Sequence, residues 1–384
     1  MSAELANVFD NIQPMSEGQK KLMDALRDRS IEIIGVFGPT GTGKSFLTLA
    51  YGLQGVGRGE YKRLIIARPI IDITSGQEIT ITSDPDHYVK LASEYVMDIA
   101  SSLADEDTVR SLIESRKLVL IDPHLLRGRT FDDSLIILDD AQNAMPETIV
   151  EIVTRLGKNS RLVIAGDPVF QRDPNRHGAI LAREVLMGEE NATIIDLGVK
   201  DIVRPGARRG LRLLLELQVR RRIMNEQEKR ILETAKQISP DADIITVVYL
   251  IDLKKKWNIE SEHVPDALIV VKEGHLGRLI GQGGERIHRI EEETGLSHRA
   301  VQLTLDFKEY IRAIHPVSWI HKHVIDFDFA GPELRILVSK GNLGPILGQK
   351  GAYIKFVDEI FRDLFGFGVY VEEAKEEKRR KRRK

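Results

Sequence analysis

The sequence predicts an α/β fold in which a P-loop parallel β-sheet, with helices on both faces, is followed by two small α+β domains. Six short apolar runs alternate with helical patterns in the first half of the 384-residue chain, which is typical of buried parallel strands covered by helices. A phosphate-binding sequence follows the first run directly. In the second half, one glycine-containing pattern occurs twice, at residues 275–287 and 342–354, which indicates a duplicated small fold.

The six runs end where a ligand is expected to bind. In open parallel sheets, ligands bind beyond the carboxyl ends of the strands. The phosphate-binding sequence, Asp139 and Asp167 each follow such an end, so we expect them to lie close together. The runs are IEIIGVF, RLIIA, KLVLID, SLIILDD, RLVIAGD and ATIIDL.

Residues 38–45 read GPTGTGKS, a complete G-x-x-x-x-G-K-[ST] phosphate loop between a strand and a helix. Glycines let backbone N–H groups turn toward phosphate oxygens, and the helix start adds a partial positive charge. We expect Lys44 to reach the β- and γ-phosphates and Ser45 to ligate Mg²⁺. The nucleotide-binding set is Gly38, Pro39, Thr40, Gly41, Thr42, Gly43, Lys44 and Ser45.

The run SLIILDD ends in two carboxylates, Asp139 and Asp140, which is the Walker B pattern. The first is expected to ligate Mg²⁺ and the second to orient the attacking water. Gln142 and Asp167 follow strand ends and either sense the γ-phosphate or cap a helix. The sequence therefore predicts hydrolysis as well as binding.

The repeat places HLGRLIGQGGERI, residues 275–287, in register with NLGPILGQKGAYI, residues 342–354. Each copy combines an apolar strand, a short helix, a G-x-x-G turn and a second helix. The turn lets a nucleic-acid backbone approach closely, because glycines lack side chains and the second helix begins with free N–H groups. The copies resemble the KH domain, whose G-x-x-G loop clamps about four nucleotides of single-stranded RNA or DNA.

This resemblance places RNA contacts in both loops. Lys350 supplies a cation in the second loop, whereas the first loop depends on the nearby Arg278, Arg286 and Arg289. The alternative interpretation is that these arginines are simply solvated helix residues. The strand order of the second copy favours the prokaryotic-type KH topology. The expected RNA-binding residues are Gly281, Gln282, Gly283 and Gly284, with Gly348, Gln349, Lys350 and Gly351.

The motifs GPTGTGKS, ARPI, RGRTFDDSLIILDDAQN, IAGD and DIVRP, in this order, resemble the PhoH family of ATPases, which are related to the RecA-like motor core of superfamily I helicases. The resemblance covers roughly residues 12–218 and implies that Gln19 reads adenine. From the residue alone, Gln19 is only a polar residue on a short helix. No guanine-reading N-K-x-D element occurs, so ATP is preferred over GTP.

Two departures from that family bear on catalysis. Asp140 stands where the family usually has glutamate, so the attacking water is held less closely and turnover is expected to be slow. The family's G-D-x-x-Q is stretched to GDPVFQ, so the sensor role passes to Asp167 and not to Gln171.

An arginine from outside the loop commonly neutralises transition-state charge on the γ-phosphoryl group. Superfamily I helicases take this arginine from a second motor domain, whereas this chain has a single motor domain. We therefore expect Arg204, in DIVRP, to act on a neighbouring subunit of a homo-oligomer, with a hexameric ring as one form. Arg68, Arg127 and Arg129 contact RNA or phosphate, or form surface salt bridges.

The composition predicts a cytoplasmic protein. The chain has no Cys, which excludes disulfides and thiolate metal sites. No apolar run approaches the roughly 18 residues of a spanning helix, and the start lacks a signal peptide. His321 and His323 are a weak candidate metal pair on one strand face, since no carboxylate pair lies nearby. The tail 378–384, KRRKRRK, either grips phosphate or is a disordered end.

Together these features predict an RNA-stimulated ATPase or helicase-like motor that acts in RNA remodelling, processing or decay. The alternative is an ATP-gated RNA clamp or chaperone without unwinding activity. The expected domains are an ATPase at 1–220, a linker at 221–262, KH domains at 263–315 and 316–373, and a basic tail at 374–384.

Overall fold

The computed structural model describes residues 5–72, 74–126, 128–170 and 178–374. Arg127, Gln171 and the basic tail lie outside these residues. The chain divides into two compact units. The first unit is Met1–Arg208 with Phe329–Pro332, and the second is Arg209–Asp328 with Glu333–Lys384.

The first unit contains a six-stranded sheet in the order β5-β2-β6-β7-β1-β8, and every neighbouring pair is parallel. All six apolar runs form this sheet, so the predicted α/β class is confirmed. The separate strands β3 and β4 form an antiparallel hairpin. The strands are β1 (Ile33–Phe37), β2 (Arg63–Ala67), β3 (Ile70–Ile71), β4 (Glu78–Ile79), β5 (Leu118–Ile121), β6 (Ser134–Leu138), β7 (Arg161–Gly166) and β8 (Ala192–Asp196).

Helices cover both faces of this sheet. Successive side chains of a strand point to opposite faces, and in β6 Ile137 enters one core whereas Ile136 enters the other. The first core takes residues from α1–α4 and the second from α5 and α6. These helices are α1 (Glu17–Arg27), α2 (Lys44–Gly57), α3 (Pro85–Ala100), α4 (Glu106–Glu114), α5 (Pro146–Val153) and α6 (Gly178–Leu186).

The second unit contains two three-stranded sheets, in the orders β11-β10-β9 and β12-β13-β14. The pairs β10–β11 and β13–β14 are parallel, and β10 is antiparallel to β9. The strands are β9 (Ile244–Tyr249), β10 (Ala267–Val271), β11 (His298–Gln302), β12 (Val324–Ala330), β13 (Glu333–Val338) and β14 (Val369–Glu373). The helices are α7 (Pro205–Arg220), α8 (Glu226–Ile238), α9 (Ile251–Lys256), α10 (Leu276–Ile280), α11 (Glu285–Thr294), α12 (Lys308–Ile314), α13 (Leu343–Leu347) and α14 (Ala352–Phe365).

Each copy of the repeat therefore has two strands, a short helix, a G-x-x-G turn, a longer helix and a third strand. Two local features differ from expectation. The segment 221–262, expected to be a linker or connecting segment, supplies β9 to the first sheet. His321 and His323 lie in a 3₁₀ turn, not on a strand. Most of α7 lies in the second compact unit, and the predicted domain limits stay predictions.

None of the described helices combines the length and apolar character that crossing a lipid bilayer requires.

Candidate nucleotide and nucleic-acid sites

The phosphate loop joins β1 to α2 and borders a cleft of about 540 Å³, a volume typical of ligand sites. Gly41 and Gly43 have φ angles of 82° and 91°, which glycine adopts freely and other residues rarely adopt. A Cβ atom on Gly41 would also overlap the Cβ of Ala207. The loop residues that line the cleft are Thr40, Gly41, Gly43, Lys44 and Ser45.

The Lys44 ammonium is folded onto its own loop. Its Nζ donates to the carbonyls of Gly38 at 2.7 Å and Pro39 at 2.9 Å. Burial lowers the pKa of Lys44, while the carboxylates of Asp167 and Asp139 oppose this shift. Phosphate oxygens would replace these carbonyls as acceptors, and their negative charge would favour the protonated ammonium. Gly38 and Pro39 thus hold the Lys44 ammonium through their carbonyl oxygens.

Gln19 lies at the cleft and is bonded to the loop. Its Nε2 donates to the Thr42 carbonyl at 2.9 Å, and its Oε1 accepts from the Met15 N–H at 2.8 Å. The Thr42 hydroxyl donates to the Pro39 carbonyl at 2.9 Å, which stabilises the turn. Both polar ends of Gln19 are therefore engaged with backbone, and adenine reading stays a prediction.

Asp201 anchors the helix that carries Gln19. One carboxylate oxygen accepts from the Gly18 N–H at 3.0 Å, and the other accepts from the Gly198 N–H at 2.8 Å. The segment that leads to Arg204 is thereby tied to α1. No local sequence signal identified this contact.

Strand register places the Walker B acids beside Arg68. Ala67 pairs with Leu138 across β2 and β6, so the residues that follow these two strands are neighbours. The Asp139 N–H donates to the Ala67 carbonyl at 3.0 Å and continues the ladder. Arg68 thus emerges next to Asp140.

Asp139 is buried, with 3% of its surface exposed. It accepts a hydrogen bond from the Tyr95 hydroxyl, and Ser45 also hydrogen-bonds to it. Burial, followed by the neighbouring charge of Asp140, raises the pKa of Asp139. A cation at this point would relieve that unfavourable charge.

The donors at this point fit magnesium. Mg²⁺ is usually held by one or two carboxylates together with substrate phosphates and water, so it needs no larger cluster of ligands. No cluster of three His, Cys, Asp or Glu residues suited to a metal occurs in the described part of the chain. Ser45 and Asp139 are the residues that would hold the ion here.

Asp140 has a φ of 53°, a left-handed conformation that is uncommon for a non-glycine residue. Its Oδ2 accepts from Nε of Arg68 at 2.8 Å and lies 2.6 Å from Nη2. The Arg68 guanidinium lies 3.6 Å from the ring centroid of Tyr95. Of the two roles expected for Arg68, a salt bridge or a contact with RNA or phosphate, the structure supports the salt bridge, with Asp140. Both residues of this pair line the cleft. Arg129 instead lies 5.2 Å over the Phe131 ring.

Gln142 links the ends of β6 and β7. Its Nε2 donates to Oδ1 of Asp140 at 3.1 Å, and its Oε1 accepts from the Asp167 N–H at 3.0 Å. Asp167 accepts from the N–H groups of Val169 and Phe170, both at 2.9 Å. Asp167 thus caps the turn after β7, and both Gln142 and Asp167 line the cleft.

Arg204 lines the same cleft in its own chain. The Val203 N–H donates to the Gly41 carbonyl at 3.1 Å, and the Arg204 charge contributes to the lowered pKa of Lys44. Arg204 therefore borders the cleft of its own chain. Its expected action on a neighbouring subunit stays a prediction, as does the ring.

Sequence reasoning missed Tyr95 entirely and the pairing of Arg68 with Asp140. A tyrosine inside an amphipathic helix carries no signal that it touches an acid 44 residues later. The Arg68 contact was accessible in principle, because it follows from the adjacency of β2 and β6. That adjacency is a property of strand order, which the motifs did not reveal.

Both G-x-x-G loops present their backbone to solvent. Gly283 and Lys350 occupy equivalent exposed positions, with φ angles of 63° and 53°. A Cβ atom on Gly283 would meet no atom within 4 Å. The remaining positive φ angles are those of Gly281, Gly284, Gly348 and Gly351, whereas Gln282 and Gln349 are exposed loop residues.

The two loops differ in charge. Arg286 pairs with Asp241 and donates to the Arg278 carbonyl at 2.7 Å, and Arg289 pairs with Glu293 at 3.2 Å. Near the first loop, two of the three arginines are thus neutralised. Lys350 in the second loop has no ion-pair partner among the described residues.

The family model of PhoH-like proteins matches residues 11–216, and a KH domain model matches residues 243–306. The PhoH-like protein of Bacillus subtilis (strain 168) is 30% identical over 200 residues, which cover 50% of this chain and 60% of the relative. That of Mycobacterium leprae (strain TN) is 29% identical over 201 residues, which cover 50% and 55%. The chain thus spans less than two thirds of the length of these relatives.

Among solved structures, the DUF1998 helicase MrfA bound to DNA aligns with 98% of this chain and 48% of its own. The identity is 10% and the TM-score is 0.33. The fold class therefore rests on the sheet order and the phosphate loop described above.

Proposed function

This chain belongs to the PhoH-like protein family, and from that premise we propose that it is an ATP-hydrolysing protein that binds single-stranded RNA. The observation that carries the proposal is one cleft, formed within a single chain, that collects Lys44, Asp140, Gln142, Asp167 and Arg204. Phosphate-binding, water-orienting and charge-neutralising groups are then all in reach of one triphosphate.

In this proposal Lys44 leaves the loop carbonyls and binds the β- and γ-phosphates. Ser45 and Asp139 would hold Mg²⁺, and the ion would neutralise charge on the phosphates. Asp140 orients the attacking water, and Gln142 fixes Asp140 relative to the end of β7. Arg204 lies outside the phosphate loop and neutralises transition-state charge in cis.

Arg68 has to change partners during this cycle. Arg68 donates a hydrogen bond to one carboxylate oxygen of Asp140. In this proposal the same carboxylate must accept a hydrogen bond from the attacking water. Because Arg68 also lines the cleft, the γ-phosphate competes with Asp140 for its guanidinium. Nucleotide binding would therefore free Asp140 for its role.

RNA binding is assigned to the two G-x-x-G loops. The KH model supports the first copy, and the identical order of elements supports a second KH domain at 316–373. Gly281 to Gly284 and Gly348 to Gly351 would bind the phosphate backbone, and Lys350, which has no ion-pair partner among the described residues, would add a positive charge in the second loop. In this reading RNA stimulates turnover, and the protein remodels RNA or acts in its processing or decay.

The ATP-gated clamp is retained as the second candidate function, because the second Walker B acid is the shorter aspartate. Such an acid would hold the attacking water less closely, and slow turnover suits a switch better than a motor. The two candidates agree on ATP hydrolysis and RNA binding. They differ in whether hydrolysis separates strands.

A strand-displacement assay separates the two candidates. The substrate is an RNA duplex with a single-stranded extension, with ATP, with a non-hydrolysable analogue, or without nucleotide. The motor predicts displacement with ATP only, and the Lys44→Ala chain serves as the matched inactive control. The clamp predicts no strand displacement under any condition. It predicts instead that RNA affinity measured with ATP differs from RNA affinity measured without nucleotide.

A further inference from the structure

The connection between β9 and β10 is long in the first copy of the repeat and short in the second. It spans residues 250–266, whereas β12 and β13 are joined by residues 331–332 only. The long connection contains α9, three consecutive lysines and Trp257. Length that the fold itself does not require is often functional in a loop.

This connection lies against the start of α14, next to the second G-x-x-G loop. Lys256 pairs with Glu359 at 2.5 Å. The ammonium groups of Lys256 and Lys355 lie 5.4 Å and 5.5 Å from the centroid of the Trp257 ring. Lys355 also lies beside the loop, since its Cε is 3.7 Å from the position of a Cβ atom on Gly351.

Trp257 is half-buried, and its indole nitrogen is buried with no hydrogen-bond partner in the described parts of the chain. The polar edge of the ring therefore points inward. The partly exposed ring has two ammonium groups over it, and one of these lysines, Lys355, has no carboxylate partner among the described residues. Simple packing would favour apolar neighbours around such a ring.

We propose that Trp257, Lys256 and Lys355 form a site that stacks a base of single-stranded RNA and binds its phosphate, adjacent to the second G-x-x-G loop. Aromatic rings next to lysines are the usual means of holding single strands. A backbone bound at Lys350 would continue past Lys355 onto the ring. The inference rests on the proposed RNA binding but assigns it a site outside both loops.

The chain has two tryptophans, Trp257 and Trp319, so fluorescence can report on the site directly. Trp319→Phe leaves Trp257 as the only indole, and Trp257→Phe leaves the exposed Trp319 as the matched control. The probe is a short oligouridylate, and its binding is followed in parallel by anisotropy of a labelled copy. Base stacking should quench Trp257 in a saturable way and leave the control unchanged.

Affinity gives the second readout. Trp257→Ala should weaken oligouridylate binding about 5- to 150-fold, the range that corresponds to the loss of one stacked base. Trp257→Phe keeps an aromatic face and should lose less, which separates stacking from misfolding. Lys355→Gln should lower the salt slope of binding by about one.

The possible failures can be told apart. Oligouridylate that binds the wild-type chain, but neither quenches Trp257 nor binds more weakly to Trp257→Ala, overturns this inference alone. Oligouridylate that does not bind the wild-type chain at all contradicts the proposed RNA-binding function and this site with it.

Discussion

Two adjacent carboxylates at the end of β6 have different partners. Asp139 accepts hydrogen bonds from Tyr95 and Ser45, whereas Asp140 accepts hydrogen bonds from Arg68 and Gln142. The first set leaves Asp139 suited to a metal, and the second holds Asp140 beside Arg68 and Gln142. These roles lead to different outcomes when each residue is changed.

Lys44→Ala should abolish nucleotide binding or turnover, because it removes the cation that reaches the phosphates. Asp140→Asn should retain ATP and stall hydrolysis, because the phosphate cradle is intact. Nucleotide affinity and phosphate release measured on both variants test this contrast. Turnover like that of the wild-type chain in both variants would remove the hydrolytic role.

Asp140→Glu is the conservative companion to these variants. It restores the longer carboxylate that is usual in the family, so turnover should stay unchanged or rise. A large loss in phosphate release would mean that the site, including the Arg68 pair, is built around the shorter acid.

The raised pKa of Asp139 predicts a pH dependence of metal binding. A carboxyl with a raised pKa keeps its proton at higher pH than usual, and Mg²⁺ requires the ionised form. Apparent Mg²⁺ affinity should therefore fall as pH decreases toward that pKa, with a midpoint above the ordinary aspartate value of 3.8.

Tyr95→Phe sharpens this test. It removes a hydrogen bond that lowers the pKa of Asp139, so the midpoint should move to higher pH. Isothermal titration with Mg²⁺–ATP at several pH values measures both midpoints. A midpoint that moves downward in the variant would contradict the assigned role of Tyr95.

At the level of elements, the sequence was most informative where periodicity and motif coincided. The six apolar runs became the six strands of the sheet, because each is a largely apolar run between turns, although the edge strands β5 and β8 are only partly buried. The hairpin β3–β4 was not expected, since two-residue strands carry no periodicity. The role of β9 was missed, because a strand's partner depends on tertiary pairing that local pattern does not encode.

The same limit applied to the site. The phosphate loop and Walker B residues could be found, because their spacing is fixed by the chemistry they perform. Tyr95 and Asp201 could not, since each acts through a fold contact of long sequence separation, Tyr95 with Asp139 and Asp201 with the Gly18 N–H. Arg204 could be identified as a residue, but its motif does not reveal whether it acts in cis or in trans.

The exposed G-x-x-G loops allow a test that spares the fold. Gly283→Asp and Lys350→Glu together should weaken RNA binding strongly, because carboxylates repel phosphate where the backbone must approach. The neutral pair Gly283→Asn and Lys350→Gln is the matched control and should lose less. Anisotropy at several salt concentrations measures both pairs. If the acidic pair bound RNA normally, the loops would serve assembly or protein contacts.

For the whole molecule, the position of Arg204 distinguishes one complete site per chain from sites shared between subunits. Arg204→Ala should depress turnover with little change in ATP affinity. Mixing it with the Lys44→Ala chain should restore nothing, because each intact site needs both residues in the same chain. Recovery of phosphate release in the mixture would reinstate the neighbouring-subunit arginine and a closed oligomer.

The claim that joins the two units is that one chain hydrolyses ATP and responds to single-stranded RNA. The most direct measurement is steady-state phosphate release by the wild-type chain, with and without oligouridylate, beside the acidic loop pair and the Lys44→Ala chain. We predict slow basal turnover that RNA raises, a basal rate preserved without stimulation in the loop pair, and no turnover in Lys44→Ala. Wild-type turnover no higher than that of Lys44→Ala, with or without RNA, would contradict the account.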